Sequence, residues 1–412
     1  MSVKSCEKLE NSKVLLTVEV SPEDFEAALN KAYLKMRGKI NMPGFRPGKA
    51  PRKMIESMYG AEVFYEEAVN IVLPDAYEGA VKEQELKVVG YPQVELESCG
   101  KDGVVRRWLR RGASGWRLDV ADELPDGFID RLNRAAKAQD ENAMVLGEVW
   151  EDASNKTAYG VRRRYLLGGQ LDSVMNYPFR DAILGFLLGE HASLIMDRIE
   201  TIVENYPPQV LRILMNHIGT HDTERALTVL GGEPADSRGR EWQSAHTLSP
   251  EQRETGLERM RLAAFLQFML PGVPCIYYGD EAGMEGYRDP FNRACYPWGH
   301  EDEDLIAWYR YLGLLRQEHG DILKDGGLRS VYAHDNVLSF ERYVETECGE
   351  DALFVAVNRS MENAVIPGLH LDNAEFIFGA PYPNPAGSDF KLPPFGFTLL
   401  RIHREKTENG ES

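Results

Sequence analysis

Cysteine is scarce. There are five in 412 residues (Cys6, Cys99, Cys275, Cys295, Cys348), an odd number at irregular intervals. No CxxC pair and no His/Cys zinc spacing occurs, so neither a disulfide framework nor a structural zinc is expected. The pattern fits a reduced, cytoplasmic protein. Long apolar runs are also missing. None approaches the ~18 residues a membrane-crossing helix needs, and the opening MSVKSCEKLE lacks the apolar core of a secretory leader. No membrane partner is therefore expected. Repeats and low-complexity tracts are absent. Positive charge is in deficit, with 47 basic against 65 acidic residues and a net charge of −18. That disfavours general nucleic-acid binding but leaves room for a local basic patch. What remains is ordinary globular composition, 43% apolar and 27% charged, long enough for two or three domains.

Such a patch exists. Residues 31–55 carry eight basic side chains and no acidic one: Lys31, Lys35, Arg37, Lys39, Arg46, Lys49, Arg52 and Lys53. The segment around it reads as α+β. Residues 13–20 (KVLLTVEV) form a β-branched strand. Ser21, Pro22 and Glu23 start a helix that runs to about Met36. A Pro/Gly-rich loop follows, then a helical stretch over 52–85 broken near Gly60 and Pro74. Residues 86–97 form a returning strand, with Pro92 at an edge or bend.

Within that loop, Gly44-Phe45-Arg46-Pro47-Gly48-Lys49-Ala50-Pro51 resembles the signature loop of the ribosome-binding domain of trigger factor. The strand–helix–loop–helix–strand order over about the first 97 residues resembles it as well. The resemblance implies a ribosome partner contacted through Phe45, Arg46 and Lys49. The residues agree with this: an apolar anchor at a loop tip flanked by two cations suits ribosomal RNA or acidic protein. The alternative is a plain turn with solvated charges.

From Gly103 the pattern becomes short apolar strands alternating with helices. Strands are expected at 115–120, 144–149, 171–176, 213–219 and 275–278, with helices at 125–139, 179–203, 251–270 and 302–318. Alternation of this size means parallel βαβ units. Carboxylates fall at the strand ends: Asp119, with Arg117 two residues back on the same face, then Glu148, then Asp222 beside His221. In a parallel barrel those ends share one site. Three converging carboxylates suit glycosidic cleavage, one attacking, one shuttling a proton and one stabilising an oxocarbenium-like state. A guanidinium beside the attacking group favours its ionised form. Apolar neighbours such as Leu146, Val149 and Trp150 suit a proton donor. His217 reads as a core histidine, residues 162–164 as a solvated basic face, and Tyr287, Phe291 and Trp298 either as packing or as sugar-stacking rings.

The segments GWRLDVADEL, GEVW, GTHDTER, LDSVMNYPF and PGVPCIYYGDEAGMEGYRDPFNR, in this order, resemble the α-amylase family of glycoside hydrolases, in particular its neopullulanase and cyclomaltodextrinase-like members. The resemblance implies Asp119 as nucleophile, Glu148 as acid/base and Asp222 as third carboxylate. It places Arg117, His221, Trp150 and Arg293 in substrate binding, on an α-glucan or maltooligosaccharide, with no cofactor and no metal. Residues 337–343, 353–358 and 397–402 read as strands and resemble the family's C-terminal β-domain.

The expected organisation is therefore a trigger-factor-like α+β domain (1–101), an incomplete (β/α) TIM-type barrel of about five strands (102–324), a C-terminal antiparallel β-sandwich domain (325–404) and a polar tail (405–412). A full barrel has eight βα units. The first three strands and the family's early Asp-x-x-x-x-Asn-His motif are missing, and the join lies near 98–105. Val104, Val105, Trp108 and Leu109 give the helix there a buried face. Three readings stay open: a glucan hydrolase with a ribosome-docking domain, a ribosome-associated module with an inactive passenger, and a non-functional chimaera. The missing strands weigh against turnover.

Overall fold

The computed structural model describes residues 2–8, 14–40, 45–46, 48–59, 61–86, 88, 108–369, 371, 374–381 and 389–406. The chain divides into two compact units, Met1–Arg111 and Gly112–Ser412.

In the first unit, β1 (Ser2–Lys8) pairs antiparallel with β2 (Val14–Glu19). Helix α1 (Pro22–Met36) starts as its sequence dictates: the Ser21 hydroxyl accepts the Asp24 N–H at 3.1 Å, and Pro22 fills the first turn. Its Ala28, Leu29 and Ala32 pack on Ile55 of α2 (Arg52–Tyr59), on Phe64, and on Ala68 and Val72 of α3 (Tyr65–Glu83). Gly60 itself lies outside the described residues, but α2 ends at Tyr59 and α3 begins only at Tyr65, so the stretch is divided as expected. The break expected at Pro74 is absent, since α3 runs through it. Buried Ala68, Val72, Ala76 and Ala80 form one stripe across the proline, and their packing outweighs the lost hydrogen bond. The expected strand over 86–97 and the join at 98–105 lie outside the described residues, apart from 86 and 88. Leu109 is buried, but Trp108 is half exposed rather than part of a buried face.

The second unit opens with parallel strands. β3 (Gly115–Leu118), β4 (Met144–Gly147) and β5 (Ser173–Val174) pair in chain order. A parallel bridge from Met175 to Met215 leads to β6 (Met215–Asn216), which pairs with β7 (Val273–Pro274). Five strands thus follow one another in sequence order. Among the described residues no strand pairs with the outer edge of β3 or β7. The fifth strand lies earlier than residues 275–278. The rings of Tyr277 and Tyr278 instead turn onto Arg225, at 4.2 and 4.6 Å from its guanidinium carbon, and Gly279 bends the chain at φ +86°.

The crossover helices include α4 (Asp126–Gln139), α5 (Tyr177–Leu188) and α6 (Ala192–Asn205), the last two separated at Gly189 with φ +114°. Next come α7 (Pro250–Met269) and α8 (Glu303–Glu318). Helix α7 is buried almost all round in its second half, from Leu262 to Met269, as expected of a helix covered on both sides. One cover is an antiparallel sheet ordered β8 (Gly327–His334), β9 (Val337–Glu345), β10 (Gly349–Asn358), β14 (Phe397–Glu405), β12 (Glu375–Gly379). Phe397 of β14 lies 4.7 Å from Phe265 of α7. The other face of that sheet packs with β11 (Ala364–Ile366) and β13 (Phe390–Leu392) around Phe354, Phe390 and Leu400. Arg342, fully buried, donates to the carbonyls of Met269, Leu323 and Gly326, tying the sheet to the helix ends.

Candidate active site

The strand ends carry the chemistry. Asp119 is the first residue beyond β3, and Arg117 lies within it. The Arg117 guanidinium reaches two carboxylates: Nη1 is 2.5 Å from Asp119 Oδ1 and Nη2 is 3.2 Å from Glu148 Oε2. Asp119 is 73% exposed, whereas Glu148 is 4% exposed. Glu148 follows β4 directly. It accepts the Val120 N–H at 2.8 Å and the Trp150 indole N–H at 3.1 Å. Val120 has φ +43°, rare for a β-branched side chain. That turn aims its N–H at Glu148 and so ties the segment after β3 to the second carboxylate.

Asp222 follows β6 by six residues. Its Oδ2 lies 3.2 Å from His221 Nε2, and Arg293 Nη2 donates to its Oδ1 at 3.4 Å. The backbone here is clamped from the segment after β7. Asn292, fully buried, donates to the carbonyls of His221 and Thr223 at 2.8 and 2.7 Å, and Arg293 Nε to His221 O at 2.9 Å. Gly219 is required by close approach, because a Cβ there would sit 2.4 Å from Asp280 Oδ2. Asp280 is buried and paired with buried Arg225 at 3.3 Å. Burial pushes its carboxyl up to about 7 against the opposing pull of Arg225.

Tyr177 joins the two halves of the site. It stacks on Trp150 (4.4 Å, 11°) and meets His217 edge-on (4.6 Å, 78°). Burial first, then the charges of Glu148 and Asp222, raise its hydroxyl to about 12, so both carboxylates act on it. The sequence reading assigned it no role, although it stands in the quoted segment LDSVMNYPF. His217 is the core residue expected, buried and held neutral, with its pKa lowered to about 3 by burial and then by Arg180.

Other expectations need revision. Residues 162–164 are not one solvated face. Arg163 is 7% exposed, donates to Leu124 O at 2.5 Å and lies 3.2 Å from Asp126, because the chain before Tyr165 folds back on α4. Tyr287 is buried and donates to Glu233 O at 2.9 Å, so it offers no face to a sugar, whereas Trp298 is 80% exposed. Trp150 has one face covered by Tyr177. In the first unit the basic block is partly neutralised: Lys35 pairs with Glu67 at 2.5 Å, and Arg52 pairs with Glu26 and Glu56 at 2.5 and 2.6 Å. Phe45, Arg46 and Lys49 are exposed, in a turn closed by the Lys49 N–H to Arg46 O bond at 3.0 Å. Among the described residues no group of three or more His, Cys, Asp or Glu is placed to hold a metal ion.

Chemically, the second unit offers a solvent-facing carboxylate on an arginine, a buried carboxylate with two N–H donors, and a third carboxylate with a histidine and an arginine. Residues 81–320 match the family of the α-amylase catalytic domain. Residues 1–106 match the family of the bacterial trigger factor protein. An amylopullulanase of Thermoanaerobacter thermohydrosulfuricus is 38% identical over 57% of this chain and 15% of its own length. A cyclomaltodextrinase of Geobacillus thermopakistaniensis is 33% identical over 73% of this chain and 47% of its own. The chain thus spans less than half the length of these relatives. Among solved structures, the Nostoc punctiforme debranching enzyme superposes with a TM-score of 0.58 at 25% identity, covering 73% of this chain and 59% of that one.

Proposed function

The chain belongs to the α-amylase family, and from that premise we propose that its second unit cleaves α-glucosidic bonds of maltooligosaccharides with retention of configuration. Asp119 attacks the anomeric carbon. Glu148 protonates the leaving oxygen, then deprotonates the water that releases the sugar from Asp119. Asp222, with His221 and Arg293, binds the sugar and steadies the cationic transition state. The observation that carries this reading is the single Arg117 guanidinium reaching both Asp119 and Glu148, which holds nucleophile and proton carrier at one point of the sheet. We read the five strands as part of a barrel whose other strands are not found among the described residues, and turnover of natural oligosaccharides should accordingly be slow. Proton NMR of maltotriose incubated with concentrated protein tests the chemistry. The α-anomer should form first, and Asp119→Asn should form none. First-formed β-anomer, or equal product from the variant, contradicts it.

The first unit supports a separate proposal, ribosome docking through Phe45, Arg46 and Lys49. Its support is that these three stay exposed while neighbouring Lys35 and Arg52 are paired within the fold. Charge contacts make such docking salt-sensitive. Co-sedimentation with ribosomes should fall with added salt and on changing all three residues to Ala. Undiminished co-sedimentation of the triple variant contradicts it.

A further inference from the structure

The turn 219–225 carries His221 and Asp222, and the segment 277–293 holds it along its length. In the middle, Asn292 takes the carbonyls of His221 and Thr223, and Arg293 takes that of His221 as well. Asp280 reaches both ends. A Cβ at Gly219 would sit 2.4 Å from its Oδ2, and its Oδ1 lies 3.3 Å from Arg225 Nη1. The same Nη1 donates to the Tyr278 carbonyl, and the Arg225 N–H donates to Gly286 O at 2.9 Å. The guanidinium lies against the rings of Tyr277 and Tyr278. Inside the turn, the Asp222 N–H donates to the Thr220 hydroxyl at 3.2 Å, and the Thr220 N–H to the Thr223 hydroxyl at 3.2 Å. With both ends fixed and the interior bonded, the Asp222 carboxylate starts from one backbone position.

Stability does not explain the pair. Both side chains are buried. Among the described residues, Asp280 Oδ2 accepts no hydrogen bond, and Arg225 Nε and Nη2 donate none. Charges taken out of water with polar atoms left unmatched are costly, and apolar residues of similar volume often serve as well or better. Departures from packing rules of this kind are expected where function requires them.

We infer that Asp280 and Arg225 are positioning residues for the cleavage step: the buried pair fixes both ends of the turn and so sets where the Asp222 carboxylate meets the sugar. Misplacing such a group by about 1 Å costs roughly a hundredfold in rate. The inference rests on the α-glucan reading of the site at Asp119.

The test is the rate at which an activated glycosyl fluoride labels Asp119 in the whole protein, followed by peptide mass spectrometry at pH 8. That pH lies above the value of about 7 to which burial pushes the Asp280 carboxyl. A fluoride leaving group needs no proton, so the rate reads attack by Asp119 and the charge that Asp222 steadies, without Glu148. Asp280→Asn keeps the shape and removes the charge. It should slow labelling at least tenfold, as should Asp222→Asn. A chain carrying both changes should be no slower than Asp222→Asn alone, because Asp280 acts through Asp222. A second variant, Asp280→Leu with Arg225→Met, should keep the thermal midpoint and slow labelling as much as Asp280→Asn does. Three results overturn the inference while labelling of the wild type keeps the chemistry intact: Asp280→Asn labelled at the wild-type rate, losses that multiply when both Asn changes are combined, or slowing that tracks a fall in thermal midpoint in both Asp280 variants. A wild-type chain that is not labelled overturns both readings.

Discussion

His217 stands behind the site, 1% exposed, edge-on to Tyr177, with Arg180 as its charged neighbour. Its pKa falls from 6.5 to about 3. The unfolded chain therefore takes up a proton first on acidification. Its contribution to stability is complete above about pH 6.5 and is lost as pH falls toward 3, with a slope approaching ~1.4 kcal/mol per pH unit. Asp280 has the opposite sign: its raised pKa stabilises at low pH, and that contribution is lost as pH rises through about 7. The difference between variants therefore isolates the histidine. Urea unfolding at pH 7, 6 and 5 should show a flatter pH dependence for His217→Asn than for the wild type; equal slopes contradict the assignment. At this scale the sequence was informative where the chemistry proposed for the site sets residue type. Arg117, Asp119, Glu148 and Asp222 stand out from strand-end position and motif. Tyr177 and Val120 did not, because a stacking partner and a positive φ are set by tertiary packing.

Helix α7 shows how an element anchors the site. Ser249 and Gln252 form a capping box, with the Ser249 hydroxyl accepting the Gln252 N–H at 3.2 Å and the Gln252 side chain accepting the Ser249 N–H at 2.9 Å. The helix it starts delivers Gln267, whose amide donates to the carbonyls of Asn216 and Cys275 at 3.0 and 2.9 Å, joining β6 to the chain after β7. Ser249→Ala should cost about 1 kcal/mol in chemical denaturation; an unchanged midpoint contradicts the cap's role. Helices were legible because caps, periodicity and stops are local. Strands were less so. β1 has the polar sequence SVKSCEK, and its pairing with β2 is its main support. Residues 275–278 have strand composition, yet Tyr277 and Tyr278 pack on Arg225, a partner far away in sequence.

At the scale of the whole molecule, the outer edges of β3 and β7 have no partner strand among the described residues. Val273, Ile276 and Tyr278 are 49%, 41% and 40% exposed along the β7 side, and unpaired edges template association. A polypeptide carrying the first three βα units of a cyclomaltodextrinase relative should bind the chain one to one and raise maltooligosaccharide turnover at least tenfold. High turnover without it, or no change with it, contradicts the open-edge reading. The order of motifs made the architecture readable from sequence. The pairing of edges was not, because partner strands are chosen by tertiary packing rather than by local composition.

The central claim is that Asp119 is a glycosyl-accepting nucleophile held by Arg117. A fluorinated α-glucosyl fluoride needs no proton for its leaving group, so it tests that carboxylate alone. Peptide mass spectrometry after incubation should find one glycosyl adduct, on Asp119, and none in Asp119→Asn. No adduct, or one on another carboxylate, contradicts the account.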